Sequence, residues 1–365
     1  MSHVVVAPDK FKGSLTAPAV AAAVARGIAR VRPHLAVHQV PVADGGDGTV
    51  EAALAAGFTP LHAEVQGPTG LPVTATIAIR DGVAVVEAAS ACGLVLLPNG
   101  VPAPLTASSH GVGELLLAAA EAGCTTVVLG VGGTASTDGG AGLVTALGGR
   151  VLDAAGEPLP PGGGALTSVA QVDLSGVSLK LDVVLATDVD NPLLGPTGAA
   201  PVFGPQKGAD AGQVDHLAAG LRTWADLLNP ELADAPGAGA AGGIGFAALA
   251  VLGATRRSGI DLLLDLIGFA DHLTDAALVI TGEGSLDEQS LHGKAPIGVV
   301  QVAARAGVPS IAVAGRCLLD QQALADAGIS AAYALADIEP DPARSIADAA
   351  NLLEQLAMRV AEDWL

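Results

Sequence analysis

Positive charge is scarce in this chain. Lysine and arginine together number 17 against 37 aspartates and glutamates, giving a net charge of −20. A surface of that sign repels polyanions, which excludes nucleic acid and anionic membrane as natural partners. Aromatic residues are almost absent at 2%, so any core must be built from alanine, valine and leucine. Cysteines are few, odd in number and widely separated (Cys92, Cys124, Cys317). No CxxC pair and no His/Cys cluster at zinc spacing exists, so neither a disulfide framework nor a zinc site is expected. Reduced thiols and a cytoplasmic setting follow as expectations. Long apolar runs are missing too, despite a mean hydropathy of +0.52. A long uncharged stretch, Ala235 to Thr255, is interrupted by Pro236 and six glycines and reads as a glycine loop opening a short helix. Asp9 and Lys10 break the N-terminal apolar run before a signal-peptide core could form.

What is present is an α/β grammar. A chain of 365 residues is comfortable as two domains. The run from His3 to Ala7 is short and β-branched, reaches a loop at Pro8–Gly13, and is followed by a helix from about Thr16. The run His38–Val42 repeats the pattern, ending in Asp44-Gly-Gly-Asp-Gly48 before a helix near Thr49. From about Glu64 the pattern changes. Residues Val73 to Ile79 alternate, Asp81-Gly82 signals a type I′ turn, and Val83 to Val86 returns as the second arm of a hairpin. Strands are expected at Thr125–Leu129 and Leu181–Ala186, each feeding a glycine-dense loop. At Ala277 the first pattern resumes, with a strand to Thr281, a loop to Lys294, a helix, and a strand Ser310–Val313. A last helix is expected over Ser345–Leu365 with Ile346, Ala349, Leu353, Leu356, Val360 and Trp364 as its apolar stripe.

Neither terminal stretch suffices for a parallel sheet alone. The fold expected is α/β with two domains. One is a flavodoxin/Rossmann-like parallel sheet formed by both chain ends, 1–64 plus 276–365; the other is an inserted α/β domain, 65–275, with a mixed sheet. A small ligand in an interdomain cleft is the default site for such an arrangement.

Scarcity makes the five lysines informative. Lys10, Lys12, Lys207 and Lys294 lie in glycine- or proline-marked loops near element ends; Lys180 does not. A flexible cation in such a loop suits phosphate or carboxylate. Acid pairs occupy equivalent places: Asp44 with Asp47, Asp188 with Asp190, and Glu283 with Asp287. Carboxylates in glycine loops at strand ends can hold magnesium through oxygen, although a single Asp there is more often a turn residue or cap. His292, beside Lys294, is a candidate base. The segment Gly130–Gly142 imitates a dinucleotide fingerprint, Gly130-x-Gly132-x-x-Ala135 with Asp153 downstream. It then continues through Ser136, Thr137 and Asp138 instead of opening into a helix. Read with magnesium, the same loop suits a nucleotide phosphate. It is not a Walker A loop, and no Gly-x-Ser-x-Gly elbow is present.

Six segments together resemble the bacterial type I glycerate kinases. They are Ala7-Pro-Asp-Lys-Phe-Lys-Gly-Ser-Leu-Thr-Ala17, Ala43-Asp-Gly-Gly-Asp-Gly-Thr49, Gly132-Gly-Thr-Ala-Ser-Thr-Asp-Gly-Gly-Ala-Gly142, Thr187-Asp-Val-Asp-Asn-Pro-Leu-Leu-Gly-Pro196, Val202-Phe-Gly-Pro-Gln-Lys-Gly-Ala209 and Thr281-Gly-Glu-Gly…His-Gly-Lys294. The resemblance runs end to end, in order. It implies ATP-dependent phosphorylation of D-glycerate, usually to 2-phosphoglycerate, and the two-domain fold already expected. On that reading the glycine loops carry Mg·ATP: Gly132, Gly133, Thr134, Ser136, Thr137 and Asp138, with Lys207 and with Gly282, Glu283, Gly284 and Ser285. Asp188 and Asp190 take the metal, and Lys12 and Lys294 hold the glycerate carboxylate or the moving phosphoryl group. Asp44 or Asp47 orients the substrate hydroxyl and accepts its proton. Two other classes stay open: an NAD-dependent small hydroxyacid dehydrogenase, resting on the loose fingerprint, and a non-catalytic acid-binding protein. Self-association as a homo-oligomer is compatible with the sequence.

Overall fold

The computed structural model describes residues 2–291 and 294–365; His292 lies outside the described residues. The strands among them are β1 (His3–Pro8), β2 (Ala36–Gln39), β3 (Thr59–Gln66), β4 (Pro72–Arg80), β5 (Val83–Glu87), β6 (Thr126–Gly130), β7 (Arg150–Leu152), β8 (Gln171–Asp173), β9 (Asp182–Ala186), β10 (Thr255–Arg257), β11 (Ala276–Leu286), β12 (Ser310–Cys317) and β13 (Ala332–Ala334). The chain separates into two compact units: residues 1–44, 51–57 and 258–365 form the first, and 45–50 with 58–257 the second.

In the first unit five strands lie in the order β13-β12-β11-β1-β2, every neighbouring pair parallel. Numbered within that sheet, the order is the flavodoxin-like 2-1-3-4-5. Successive residues of β1 enter different cores, as a strand covered on both faces requires. Val4 and Val6 pack with the helices Ala17–Val31 and Ala349–Trp364. Val5 and Ala7 pack with Gly259–Leu266 and Ala295–Arg305. The helix Ala17–Val31 begins where Thr16 Oγ1 accepts from Ala19 N–H, with Pro18 in the first turn.

The second unit carries the mixed sheet β10-β9-β6-β5-β4-β3, with β10, β9, β6 and β5 parallel and β4 and β3 added antiparallel. The β4–β5 hairpin pairs Arg80 with Val83 across Asp81 (φ 52) and Gly82 (φ 78). Positive φ at both central positions is the type I′ turn that Asp-Gly announces. A large alanine- and leucine-rich core surrounds the fully buried Trp224 and Phe246.

Three features depart from expectation. The segment β3 joins the second sheet through β4, and 258–273 packs with the first unit, so both edges of the insertion shift. Strand β11 does not stop at Thr281 but runs to Leu286, its Glu283 paired with Ala314 and Ser285 with Arg316 of β12. Gly282 continues the strand because a Cβ there would collide with the Val313 carbonyl. The last helix is two, Pro342–Ala347 and Ala349–Trp364, broken at Asp348, whose φ −111 and ψ 20 are not helical. Consequently Ile346 is exposed, while Leu353, Leu356 and Val360 keep the buried stripe.

The tightest helix contact in the first unit is at Gly27, where an added Cβ would strike the Glu354 carbonyl and the Ala357 side chain. Gly27→Val should therefore cost about 1–3 kcal/mol or more, read as a lowered urea midpoint; an unchanged midpoint would show that the two helices part easily.

Candidate active site

In the first unit the carboxyl ends of β1 and β11 converge. Ala7 pairs with Thr281 and Pro8 with Gly282, and the Asp9 N–H donates to the Gly282 carbonyl at 2.8 Å. This is the point where strand order reverses, the place where open α/β sheets bind ligands. Asp9, absent from the residues singled out in the sequence, is the most perturbed acid there. Burial pushes its carboxyl up to about 7, with the Asp44 charge adding to the shift, Lys10 opposing it and Glu283 adding a smaller share. Its Oδ1 accepts from the Lys10 N–H at 2.6 Å. Glu283 is buried, which raises its pKa against the pull of Ser290 and Lys294. Its Oε2 lies 3.6 Å from Lys294 Nζ, and its Oε1 is buried with no hydrogen-bond partner among the described residues. Lys294 stands at the N-cap of the helix Ala295–Arg305, so its cation adds to the positive helix end. Gly284 backs onto the chain at Phe11 and Lys12, where even a methyl group would sit 3.3 Å from Lys12 N. Lys12 itself is exposed. Ser285 is tied down: its hydroxyl donates to Asp287 at 3.2 Å and accepts from Arg316 Nε at 3.0 Å.

In the second unit the glycine loop after β6 is built around buried polar groups. Asp138 has no exposed surface. Its Oδ2 accepts from Ser109 N–H and Oγ, each at 2.8 Å, and from Gly142 N–H at 3.2 Å; its Oδ1 accepts from Gly140 N–H at 3.2 Å. The carboxylate expected to face a ligand thus ties the loop to the start of the helix His110–Glu121. Lys207, 3% exposed, donates to the Ser136 carbonyl and to Thr134 Oγ1. Burial pushes its amino group down to about 8, against the opposing influence of Cys92 and Asp138. Ser136 Oγ lies near the Cys92 thiol, a weak hydrogen-bonding group. Both Ser136 Oγ and Thr137 Oγ1 are buried without a partner of ordinary hydrogen-bond geometry. Gly132 is required because a Cβ would sit 2.9 Å from Gly46 Cα, and Gly130 because a Cβ would strike the Gly45 carbonyl. The glycine spacing that imitates a dinucleotide fingerprint is therefore explained by two loops meeting backbone to backbone. Gly133 (φ 70) is exposed at the outer turn.

Asp44 belongs to the first unit and Asp47, exposed, to the second. The loop carrying Asp47 is held by Glu87, whose Oε1 accepts from Gly48 N–H at 2.9 Å and Val50 N–H at 2.8 Å. After β9, Asp188 is half-buried beside Thr187, whose hydroxyl accepts from Val189 N–H at 3.2 Å. Asp190 already has a cation, Arg256 Nη2 at 2.6 Å. Among the described residues no three His, Cys, Asp or Glu side chains are arranged to hold a metal ion. That donor set fits magnesium better than a caged metal, since magnesium is commonly held by one or two carboxylates plus substrate phosphates.

A family model described as the glycerate kinase family matches residues 4–365. The chain belongs to the glycerate kinase family. It is 43% identical to a glycerate kinase of Bacillus subtilis (strain 168), over 98% of this chain and 96% of the relative. It is 44% identical to a glycerate 2-kinase of Escherichia coli (strain K12), over 91% and 90% respectively. A crystal structure from Salmonella typhimurium LT2, described as a glycerate kinase 2, superposes with a TM-score of 0.84 at 38% identity, covering 99% of this chain and 98% of that one. No helix among the described residues is long and apolar enough to cross a membrane.

The structure brings in groups that residue type alone had passed over: Asp9, Glu87, Ser109 and Arg256. Asp9 carried a signal, an acid directly after a buried strand and a proline. The others act through distant partners. Asp138→Ala would strip one acceptor from four donors and should cost about 3 kcal/mol or more, measured by denaturation; a loss below about 1 kcal/mol would mean the loop is anchored elsewhere.

Proposed function

We propose that this enzyme transfers the γ-phosphoryl group of ATP to a hydroxyl of D-glycerate, giving 2-phospho-D-glycerate, in the cytoplasm where ATP is supplied. The observation that carries the reading is Lys207. In a chain of net charge −20, a cation is buried against a glycine loop whose Ser136 and Thr137 hydroxyls lack partners. Burying that amino group is costly even with Asp138 acting on it, because that carboxylate is already committed to four donors. A nucleotide phosphate supplies a further anion, received by Gly132, Gly133, Thr134, Ser136, Thr137 and Lys207, with Asp138 holding the loop in shape. Gly282, Glu283, Gly284 and Ser285 are the second glycine segment assigned to the nucleotide on this reading.

Phosphoryl transfer asks for positioning and charge neutralisation more than covalent help. Lys12 and Lys294 hold the glycerate carboxylate and the phosphoryl group in motion. Asp44 and Asp47 orient the hydroxyl that attacks. Magnesium, when bound, neutralises phosphate charge, and Asp188 is its first protein ligand, with Asp190 sharing its charge with Arg256. The name of the Escherichia coli relative supports phosphorylation at the 2-position. Nothing in the glycine loop calls for a nicotinamide cofactor.

The test is ADP release over a panel of small hydroxy acids and sugars, with the product identified by phosphorus NMR. D-Glycerate should be the best acceptor, with the phosphate on its 2-oxygen. Turnover confined to sugars would overturn the substrate, and binding of glycerate without ADP would mark a non-catalytic protein.

A further inference from the structure

Three regions of the molecule hold titratable groups that the reading above leaves unused. A stacked pair of imidazoles, His3 and His38 with centroids 4.1 Å apart, is joined by the edge of His272. His3 Nε2 meets the His272 carbonyl at 2.8 Å, which gives this cluster a structural use. Cys92 and Ser109 serve the loop around Asp138. Asp9 has no such use, because apart from the N–H of its own neighbour no hydrogen bond to its carboxyl is seen among the described residues.

We infer that Asp9 is the group that accepts the proton of the attacking glycerate hydroxyl. This inference rests on the kinase reading of the same enzyme and adds a catalytic residue to it. Two independent observations point to a ligand. Asp9 stands at the carboxyl end of β1 against β11, the switch point of a 2-1-3-4-5 sheet. Beside it, Glu283 is 8% exposed, and its buried Oε1 has no hydrogen-bond partner among the described residues. A polar substrate at that point would satisfy what the protein leaves open.

The charged surroundings are suited to a base. Asp44 and Glu283 bear like charge towards Asp9, Lys10 opposes them, and Lys294 and Asp287 act on Glu283 in turn. Burial and these neighbours leave the Asp9 carboxyl titrating near neutrality, where a general base works best. In the step, the hydroxyl oxygen forms its bond to the γ-phosphorus while the bond from that phosphorus to the β,γ-bridging oxygen breaks. The electron pair of the broken bond leaves with ADP. The hydroxyl proton passes to Asp9, which releases it to water once the products leave. Asp44 then orients the hydroxyl and holds Asp9 in its basic range.

The test compares wild type and Asp9→Asn across pH 5.5–9 with ATP and D-glycerate. Wild-type kcat should fall on the acid side with a midpoint near 7. The variant should lose about 100-fold or more in kcat, keep both KM values within about threefold, and lose the acid limb from its residual rate. Its Tm at pH 8.5 should equal or exceed that of wild type. The sign follows from the raised pKa: ionising Asp9 in the fold is unfavourable above 7, so removing the charge relieves the fold there. A merely structural Asp9 would give a lowered Tm instead. A wild-type kcat that is flat from pH 6 to 8, or an Asp9→Asn variant within tenfold of wild type, would overturn the assignment while the kinase reading stands. No ADP from wild type with glycerate would overturn both.

Discussion

The parallel pairing of β1 with β11 is the constraint on which the first unit depends. It joins two chain segments separated by the whole of the second unit, and it fixes the strand order that creates a switch point. Its register, Ala7 with Thr281 and Pro8 with Gly282, brings Asp9 beside Glu283. The glycine at 282 is a condition of the pairing of β11 with β12 on its other side, because the Val313 carbonyl leaves no room for a Cβ. Folding must therefore close a long loop before the acid pair exists, and the favourable burial of Val4, Val5, Val6 and Ala7 offsets the entropy of closing it.

The second unit treats charge in the opposite manner. There the acid is held by hydrogen bonds and the base is the group that burial disfavours. Asp138 collects four donors, whereas Lys207 donates to one carbonyl and one hydroxyl, with Asp138 as the nearby acid that acts on it. In the first unit it is the acids, Asp9 and Glu283, that burial makes hard to ionise, with Lys10 and Lys294 offsetting only part of the cost. Each unit thus holds charged groups that burial disfavours, a lysine in one and two carboxyls in the other. Such costs lower stability and are tolerated at functional sites.

Most of the architecture was legible in the chain. Short apolar runs ahead of glycine loops marked β1, β6, β9, β11 and β12, and Asp81-Gly82 marked the β4–β5 hairpin. Strand β2 formed at Ala36–Gln39 instead of His38–Val42, and β3, β10 and β13 carried no such signal. The extension of β11 was not legible, because Gly-Glu-Gly reads as punctuation unless the Val313 carbonyl beside it is known. The break at Asp348 was hidden for a similar reason: the apolar stripe runs through it without interruption. The site was legible as a set of loops but not as a set of directions. Asp138 and Asp188 look alike in sequence, each an acid after a Thr in a loop that follows a strand; only the fold turns the first inward to Ser109. Asp190 gained its partner from Arg256, which lies on a different strand. Asp9 was overlooked because its character comes first from burial in the fold and then from the charge of Asp44, which is not near it in sequence.

The account rests on a carboxyl at the end of β1 whose basicity is set by burial and by the charge of Asp44. The most direct measurement is the pH dependence of kcat in Asp44→Asn beside wild type. Removing that neighbouring charge should move the acid limb to lower pH, whatever it does to the maximal rate. An acid limb that stays at the wild-type midpoint would contradict the account, because the titrating group would not then be the one that Asp44 faces.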